Sequence, residues 1–153
     1  MNESAEKILG IIASEGHYVS TSVGFSMKPM LRSRRDTIVI SPKPPELKKY
    51  DVVLYSSGDR LILHRIVKVL PDGCDIRGDN CFFTEYGIKN EQIVGVLAEF
   101  WRGEKKISAE SFSYKLYSRV WVTSYPLRKF LRRVRNFSGR IFRKLFRRRI
   151  KNK

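Results

Sequence analysis

Five short stretches between residues 16 and 101 are rich in β-branched and aromatic residues, and turn residues separate them. The stretches are Tyr18–Val23, Thr37–Ile40, Asp51–Tyr55, Leu61–Val69 and Ile93–Phe100. The prolines at 42, 44 and 45 predict a stiff loop, and the sequences at 57–59 and 71–73 predict hairpin turns. Because β-branched and aromatic residues favour strands, this series predicts a mainly β domain with short strands and many turns.

Helical spacing appears only at the two ends of the chain. Apolar residues at 8, 9, 11 and 12 predict one short N-terminal helix that ends at Gly16. Apolar residues then recur every three or four positions from Phe112 to Phe146, with a break at Pro126. The sequence therefore predicts a β body with an N-terminal helix over residues 1–110 and a helical tail over residues 111–153.

The net charge of +16 is concentrated in this tail. Residues 1–110 carry 16 basic and 15 acidic side chains, whereas residues 111–153 carry 15 basic and no acidic ones. A basic amphipathic helix suits an anionic membrane surface, and nucleic-acid binding or packing on the β body are the alternatives, with nucleic acid the least favoured. The candidate membrane-binding residues are Arg132, Arg133, Arg143, Lys144, Arg147 and Arg148.

Other sequence features limit the class of protein. Cys74 and Cys81 lack the spacing of a zinc site and are expected to be free thiols, although a disulfide between them stays open. We expect no metal and no cofactor. No apolar run approaches the roughly 18 residues that span a bilayer, and acids at positions 3 and 6 are atypical of a secretory signal peptide. The sequence therefore predicts a cytoplasmic protein, with peripheral attachment to the inner face of the membrane through the tail.

Two segments carry side chains suited to acyl transfer. Ser26 lies between a strand and a turn, where a tight bend would expose its hydroxyl and leave its backbone N–H free for a substrate oxygen. His64 shares a strand face with Ile62 and Ile66, and an imidazole with a pKa of about 6.5 accepts a serine proton near neutral pH. Taken alone, a serine beside a proline is typical of a turn, and a histidine among apolar residues is typical of a core.

A third segment supplies an acid after the histidine strand. Asp79 lies in the turn Gly78-Asp-Asn80, and Glu85 follows six residues later. Either carboxylate could hold the imidazole in the correct tautomer and stabilise the imidazolium that forms on proton transfer. The sequence leaves the choice between the two acids open.

In order and spacing, these segments resemble the signal peptidase family, and specifically its archaeal and endoplasmic-reticulum branch. The resemblance covers about residues 17–100. It is carried by Gly24-Phe-Ser-Met-Lys-Pro29, Asp51-Val-Val-Leu-Tyr55, His64-Arg-Ile-Val67, Gly78-Asp-Asn80 and Ile93-Val-Gly95. It implies the β fold shared by signal peptidases and repressor peptidases, and serine endopeptidase activity on a leader peptide, signal-type peptide or preprotein.

The resemblance also implies roles for single residues. Ser26 corresponds to the nucleophile of the Ser-Met-x-Pro motif, and His64 to the histidine that this branch has in place of the bacterial lysine. Asp79 matches the acid of the Gly-Asp-Asn turn, whereas Glu85 stands where a second Asp is usual. Gly24 stands where bacterial members often have an oxyanion-binding serine. The oxyanion hole is therefore expected to use the backbone N–H groups of Gly24 and Ser26, chiefly that of Ser26. The N-terminal membrane anchor of the family has no counterpart in the sequence, and the basic tail is expected to replace it.

Two alternatives belong to other classes. Autoproteolytic repressors share the fold but use a Ser–Lys pair, and they need a DNA-binding domain and a linker for which the 25 residues before Ser26 leave no room. A non-catalytic basic adaptor would bind membrane or RNA through the tail. The joint presence of serine, histidine and acid favours the peptidase over the adaptor.

Overall fold

The computed structural model describes residues 3–135 of the chain. Its elements are, in order, α1 (Glu3–Glu15), β1 (Tyr18–Thr21), β2 (Asp36–Pro42), β3 (Val52–Ser57), β4 (Arg60–Leu70), β5 (Gly73–Arg77), β6 (Glu85–Lys89), a 3-10 turn (Asn90–Gln92), β7 (Ile93–Arg102), β8 (Lys105–Ser108) and α2 (Phe112–Thr123). Residues 125–135 are also helical. The mainly β body and its N-terminal helix are confirmed.

The strands form one curled antiparallel sheet. Its order is β1-β2-β7-β3-β4-β5-β6, and β8 pairs with β7 beside this path. All five predicted strands are present with shifts of a few residues at their ends, and both predicted hairpin turns join strands, β3 to β4 and β4 to β5. The strand predictions missed β5, β6 and β8, because these strands are short and carry polar or glycine residues between their apolar positions.

Two hydrophobic clusters hold the sheet. The larger one packs α1 and the segment after β1 against β2, β3 and β7, through Ala5, Ile8, Ile12, Met27, Met30, Leu31, Ile38, Ile40, Val52, Leu54, Val94, Leu97, Phe100 and Tyr114. The smaller one comprises Val53, Tyr55, Ile66, Cys74, Ile76 and Ile93. Alternation along β4 sends Leu61 and Leu63 to the first cluster and Ile62 and Ile66 to the second, as predicted.

Glycine ends α1 as predicted. Gly16 has φ of 76°, and its N–H donates to the carbonyl of Ile12 at 2.9 Å. A left-handed residue that closes the last turn in this way is the usual helix C-terminus, and glycine adopts it without steric cost.

The chain forms two compact units that divide between Val122 and Thr123. The first unit includes α2, whose contacts with the β body are described below. In the second unit the described helix covers residues 125–135, so the predicted break near Pro126 occurs just before that proline. Pro126 lies in the first turn of this helix, where a backbone N–H has no partner within the helix and its absence costs nothing. Across residues 3–135, no helix is long and apolar enough to cross a membrane.

Candidate active site

Ser26 lies on the bend between β1 and β2, and buried side chains anchor that bend. Met27 and Leu31 are 5% and 2% exposed, and the N–H of Leu31 donates to the carbonyl of Met27 at 2.9 Å. Ser26 itself is half-buried. Within the described residues, neither its Oγ nor its backbone N–H makes a hydrogen bond, so both are available to a substrate.

Gly24 shapes the start of the bend. It has φ of 100°, a conformation that favours glycine, and its N–H donates to Ser33 Oγ at 3.0 Å. Of the two backbone N–H groups predicted for an oxyanion hole, that of Gly24 is therefore occupied by a side chain. The N–H of Ser26 is the one left for a substrate oxygen.

A groove opens beside Ser26. Its volume is about 640 Å³, and residues of α1, β1, β3 and β4 line it together with the Ser26 bend. Leu54, Leu61, Leu63 and Met27 give it an apolar floor, and Ser20, Ser22 and Arg60 are among its polar residues. An extended peptide segment with small or apolar side chains fits the chemistry of such a lining.

His64 lies on β4 and is only 4% exposed. Its Nδ1 is 2.8 Å from Oε1 of Glu85. An ionised carboxylate accepts hydrogen bonds and donates none, so Nδ1 must carry the proton. In the neutral ring, Nε2 then holds the free lone pair that a general base needs.

Burial sets the charge state of His64. It lowers the pKa of the imidazole below the usual value, and the negative charges of Glu85 and Asp79 oppose this effect without cancelling it. The imidazole is therefore neutral at neutral pH, which is the form that can accept a proton.

Tyr55 completes the histidine pair and was not predicted. Its hydroxyl lies 2.8 Å from each oxygen of Glu85 and 3.4 Å from His64 Nδ1. Burial and the carboxylate of Glu85 both raise the pKa of Tyr55, so the hydroxyl stays protonated and donates a hydrogen bond to Glu85. The hydroxyl thereby fixes the carboxylate that orients the imidazole. Its sequence signal was its place at the end of the Asp51–Tyr55 motif.

Asp79 has a different partner. Its two carboxylate oxygens accept from Nε and a terminal nitrogen of Arg65 at 2.8 and 2.9 Å, and both residues are buried. Burial alone would lower the pKa of Arg65, but the hydrogen bonds and charge of Asp79 raise this pKa by more than burial lowers it. The guanidinium therefore stays charged. Of the two candidate acids, Glu85 contacts His64 and Asp79 contacts Arg65.

Gly78 lies where the backbone of Ser26 and the side chains of His64 and Cys81 come close together. A Cβ placed on Gly78 would lie 2.7 Å from the carbonyl oxygen of Ser26, 2.8 Å from His64 Nε2 and 2.8 Å from Cys81 Sγ. Three groups that surround one point this closely leave room only for glycine. The structure thus brings the backbone of Ser26 and the basic nitrogen of His64 to the same small space.

The hydroxyl of Ser26 and His64 Nε2 are not hydrogen-bonded to each other. Nε2 is a buried nitrogen without a hydrogen-bond partner among the described residues. Buried polar atoms are normally satisfied, and an exception beside a candidate nucleophile is typical of a functional site. Catalytic hydrogen bonds often tighten only when substrate is bound, and the free lone pair of Nε2 is the acceptor that such a bond would use.

The other residues singled out from the sequence are the basic residues of the tail and the two cysteines. Arg132 and Arg133 are exposed on the helix at 125–135. The other predicted membrane-binding residues, Arg143, Lys144, Arg147 and Arg148, lie outside the described residues. Cys81 is half-buried as a free thiol, as is the buried Cys74, and burial raises the pKa of both. Neither thiol is therefore activated as a thiolate.

Comparison with known proteins identifies no family for this chain. No protein-family model matches it, and no curated protein matches it. The features that bear on its activity are therefore the geometry of Ser26, His64 and Glu85 and the resemblance of the motifs that contain them.

Proposed function

We propose that the chain is a serine endopeptidase that cleaves leader or signal-type peptides through an acyl-enzyme. The observation that carries this proposal is the pair formed by buried His64 and half-buried Glu85. Among residues 3–135, the second imidazole nitrogen of this pair has no hydrogen-bond partner, and it lies beside the backbone of Ser26. A serine, an oriented neutral imidazole and a fixed carboxylate are the parts that nucleophilic acyl transfer requires.

The proposed reaction begins with attack of Ser26 Oγ on a peptide carbonyl carbon. The hydroxyl proton passes to His64 Nε2, the carbonyl becomes an oxyanion, and the N–H of Ser26 donates to it. His64 then gives the proton to the leaving amine as the C–N bond breaks. A water molecule attacks the acyl-enzyme, loses its proton to His64 and releases the carboxylic acid as Ser26 recovers its proton.

Glu85 stabilises the imidazolium that exists between these proton transfers. The carboxylate already accepts the Nδ1 proton, so it gains attraction when the ring becomes positive. Because Tyr55 holds the carboxylate, little reorganisation is needed at that moment.

Peptide cleavage with matched variants tests the proposal. The purified chain is incubated with a set of leader-type peptides that carry small residues before the scissile bond, and products are identified by mass spectrometry. Ser26→Ala and His64→Ala should each abolish cleavage. The matched controls are Ser14→Ala and His17→Ala, which alter an exposed serine and the other histidine of the chain. Cleavage that survives in both site variants would refute the mechanism.

A serine-directed fluorophosphonate provides a test that does not depend on the choice of peptide. The probe should label the wild type at Ser26 and leave Ser26→Ala unlabelled. If the wild type neither cleaves any peptide nor reacts with the probe, the non-catalytic adaptor becomes the better explanation of the chain. Binding of the tail to RNA or lipid would then be its main activity.

We also propose that the basic tail attaches the chain to an anionic membrane surface. In the second unit, Leu127, Phe130, Leu131 and Val134 recur at intervals of three and four and are all about half exposed or more. Arg132, Arg133 and Arg135 accompany them on the same helix. An apolar row flanked by arginines is the composition of a helix that lies in the headgroup region of a bilayer.

Vesicle co-sedimentation tests the attachment with the full-length chain. Binding to vesicles that contain phosphatidylglycerol should exceed binding to phosphatidylcholine vesicles. The double variant Arg132→Glu/Arg133→Glu should reduce it, whereas Lys105→Glu/Lys106→Glu, which makes the same charge change in the β body, should not. Equal sedimentation of all three proteins would contradict membrane attachment through the tail.

A further inference from the structure

Helix α2 faces the β body with tyrosine, serine and tryptophan side chains, all of which carry a hydrogen-bonding group. Tyr114, Tyr117, Ser118 and Trp121 are buried or half-buried at intervals of three and four residues. The apolar row that predicted the helix, Phe112, Leu116 and Val120, points outward and is 81%, 51% and 55% exposed. The body therefore holds α2 both by packing of Tyr114 and Tyr117 on the larger hydrophobic cluster and by directed hydrogen bonds from the polar atoms of these side chains.

These hydrogen bonds end on the turn that contains Asp79. The indole N–H of Trp121 donates to the backbone carbonyl of Asp79 at 2.8 Å. The hydroxyl of Tyr117 donates to the Asp79 carboxylate at 3.0 Å, and the two rings are stacked. The Asp79 partner Arg65 donates to Ser118 Oγ at 2.7 Å and lies 3.3 Å from the hydroxyl of Tyr114. Both the backbone and the side chain of Asp79 are thus held from α2.

The next residue of the turn holds the nucleophile segment. The backbone N–H of Asn80 donates to the carbonyl of Ser26 at 2.7 Å, and its side-chain amide donates to the carbonyl of Phe25 at 3.2 Å. Asn80 is covalently adjacent to Asp79, so a shift of Asp79 is transmitted to the carbonyl of Ser26. A continuous set of short hydrogen bonds therefore joins α2 to the bend that carries the serine.

We propose that α2 is a positioning element for Ser26, with Tyr117 and Trp121 as its positioning residues. They fix the turn at Asp79, and Asn80 in turn fixes the backbone of Ser26 beside His64. Neither residue touches the reacting atoms. The catalytic consequence rests on the proposed peptidase function, whereas the mechanical connection from α2 to Ser26 stands independently of it.

Phenylalanine at each position removes the hydrogen bond and keeps an aromatic ring, although it is smaller than the indole at position 121. Trp121→Phe and Tyr117→Phe delete one N–H and one O–H from α2. The controls are Trp101→Phe, which deletes an indole N–H that donates to Glu99 at 3.1 Å, and Tyr86→Phe, which deletes an exposed hydroxyl. All four proteins are compared with wild type as full-length chains, well below the midpoint of thermal unfolding of each.

The first measurement is amide hydrogen exchange over residues 24–31 and 78–81. In Trp121→Phe and in the double variant with Tyr117→Phe, exchange in both segments should rise about tenfold, as expected when a local hydrogen-bonded unit opens more often. Exchange in β7 should stay unchanged, and the controls should match wild type in all three regions. Unchanged exchange at 24–31 in the double variant would overturn the proposal, as would a uniform increase over the whole chain.

The second measurement is the kinetics of peptide cleavage. Because displacement of a reacting group by about 1 Å costs on the order of 100-fold, we expect the double variant to lose about tenfold or more in kcat with KM within about twofold. A loss confined to KM would overturn a positioning role for α2. If the wild type cleaves no peptide, the proposed function fails, and the exchange measurement alone decides whether α2 controls the Ser26 bend.

Discussion

Replacement of Gly78 by alanine would separate the geometry of the site from the stability of the fold. The added methyl group would lie 2.7 Å from the carbonyl oxygen of Ser26 and 2.8 Å from His64 Nε2. Carbon and oxygen atoms that are not bonded normally stay at least about 3.3 Å apart, so one of the neighbours must move by roughly 0.6 Å. These two neighbours belong to the site, and the third neighbour, Cys81 Sγ at 2.8 Å, belongs to the turn that supports it.

The expected result is a large loss of rate with a moderate loss of stability. A displacement of about 1 Å costs on the order of 100-fold in rate, so roughly 0.6 Å should cost about 10- to 100-fold in kcat. Overpacking of a buried position typically costs about 1–3 kcal/mol in the free energy of unfolding. Fluorophosphonate labelling of Ser26 and peptide cleavage measure the first effect, and urea unfolding measures the second.

Gly95→Ala is the matched control. A Cβ at Gly95 would lie 2.5 Å from the carbonyl oxygen of Ser41 and 2.6 Å from Ile40 Cγ2, a clash of similar size in the sheet between β2 and β7. It should destabilise the fold by a comparable amount and leave the kcat of the folded protein near that of wild type. Equal rate losses in both variants, or a wild-type rate in Gly78→Ala, would refute the proposed placement of Ser26 and His64.

Three further predictions follow from the charges of the site. Burial lowers the pKa of His64, so the imidazole stays neutral at pH values where an ordinary histidine is already protonated. On lowering the pH, kcat/KM should therefore fall to half its maximum only below pH 6.5. Glu85→Gln removes a charge that raises this pKa, so the acidic limb should move to still lower pH while kcat falls, by up to about 10⁴-fold if Glu85 acts as a triad acid does; an unmoved limb would contradict the pair. Asp79→Asn leaves the fully buried Arg65 without its counter-charge and should cost about 3–5 kcal/mol in urea unfolding, against at most about 1 kcal/mol for Glu99→Gln at a partly exposed pair.

The sequence predicts the strands that contain apolar runs, because local composition decides them, but it misses β5, β6 and β8. β3, β4 and β7 contain runs of Val, Ile, Leu and Tyr between clear turn residues, and such runs bury apolar surface best as strands. It also selects Ser26 and His64, since their residue types stand out from their surroundings. Neither choice requires knowledge of which strands pair.

The choice between Asp79 and Glu85 depends on pairing that local sequence does not contain. Glu85 reaches His64 because β6 pairs with β5 in a register that places Glu85 opposite Ile76, and β5 pairs with β4 so that Ile76 lies opposite Ile66. Both ladders contain a register shift. A shift by one residue moves a side chain to the other face of the sheet, so no counting along the chain could have assigned the acid.

The burial of Arg65 was beyond sequence reasoning for a related reason. His64, Arg65 and Ile66 are consecutive and all buried, so β4 is covered on both faces at this point. The partners of Arg65 on α2 are a tyrosine and a serine, whereas the apolar row of that helix is exposed. Hydrophobic periodicity finds a helix and its aliphatic face, but it does not show that the face with Tyr114, Tyr117 and Ser118 is the one in contact.

The two acids of the site differ in what neutralises them, and this difference assigns their roles. The charge of Asp79 is matched by the bidentate guanidinium of Arg65, and its effect on the pKa of His64 is smaller than that of Glu85. Glu85 forms no ion pair with a lysine or arginine among the described residues, and its partners are the hydroxyl of Tyr55 and the imidazole of His64. In the proposed reaction, its negative charge would stabilise the imidazolium that forms when Ser26 gives up its proton. Loss of either acid would therefore have a different effect, since loss of Asp79 leaves Arg65 without its counter-charge and loss of Glu85 leaves His64 Nδ1 without its acceptor.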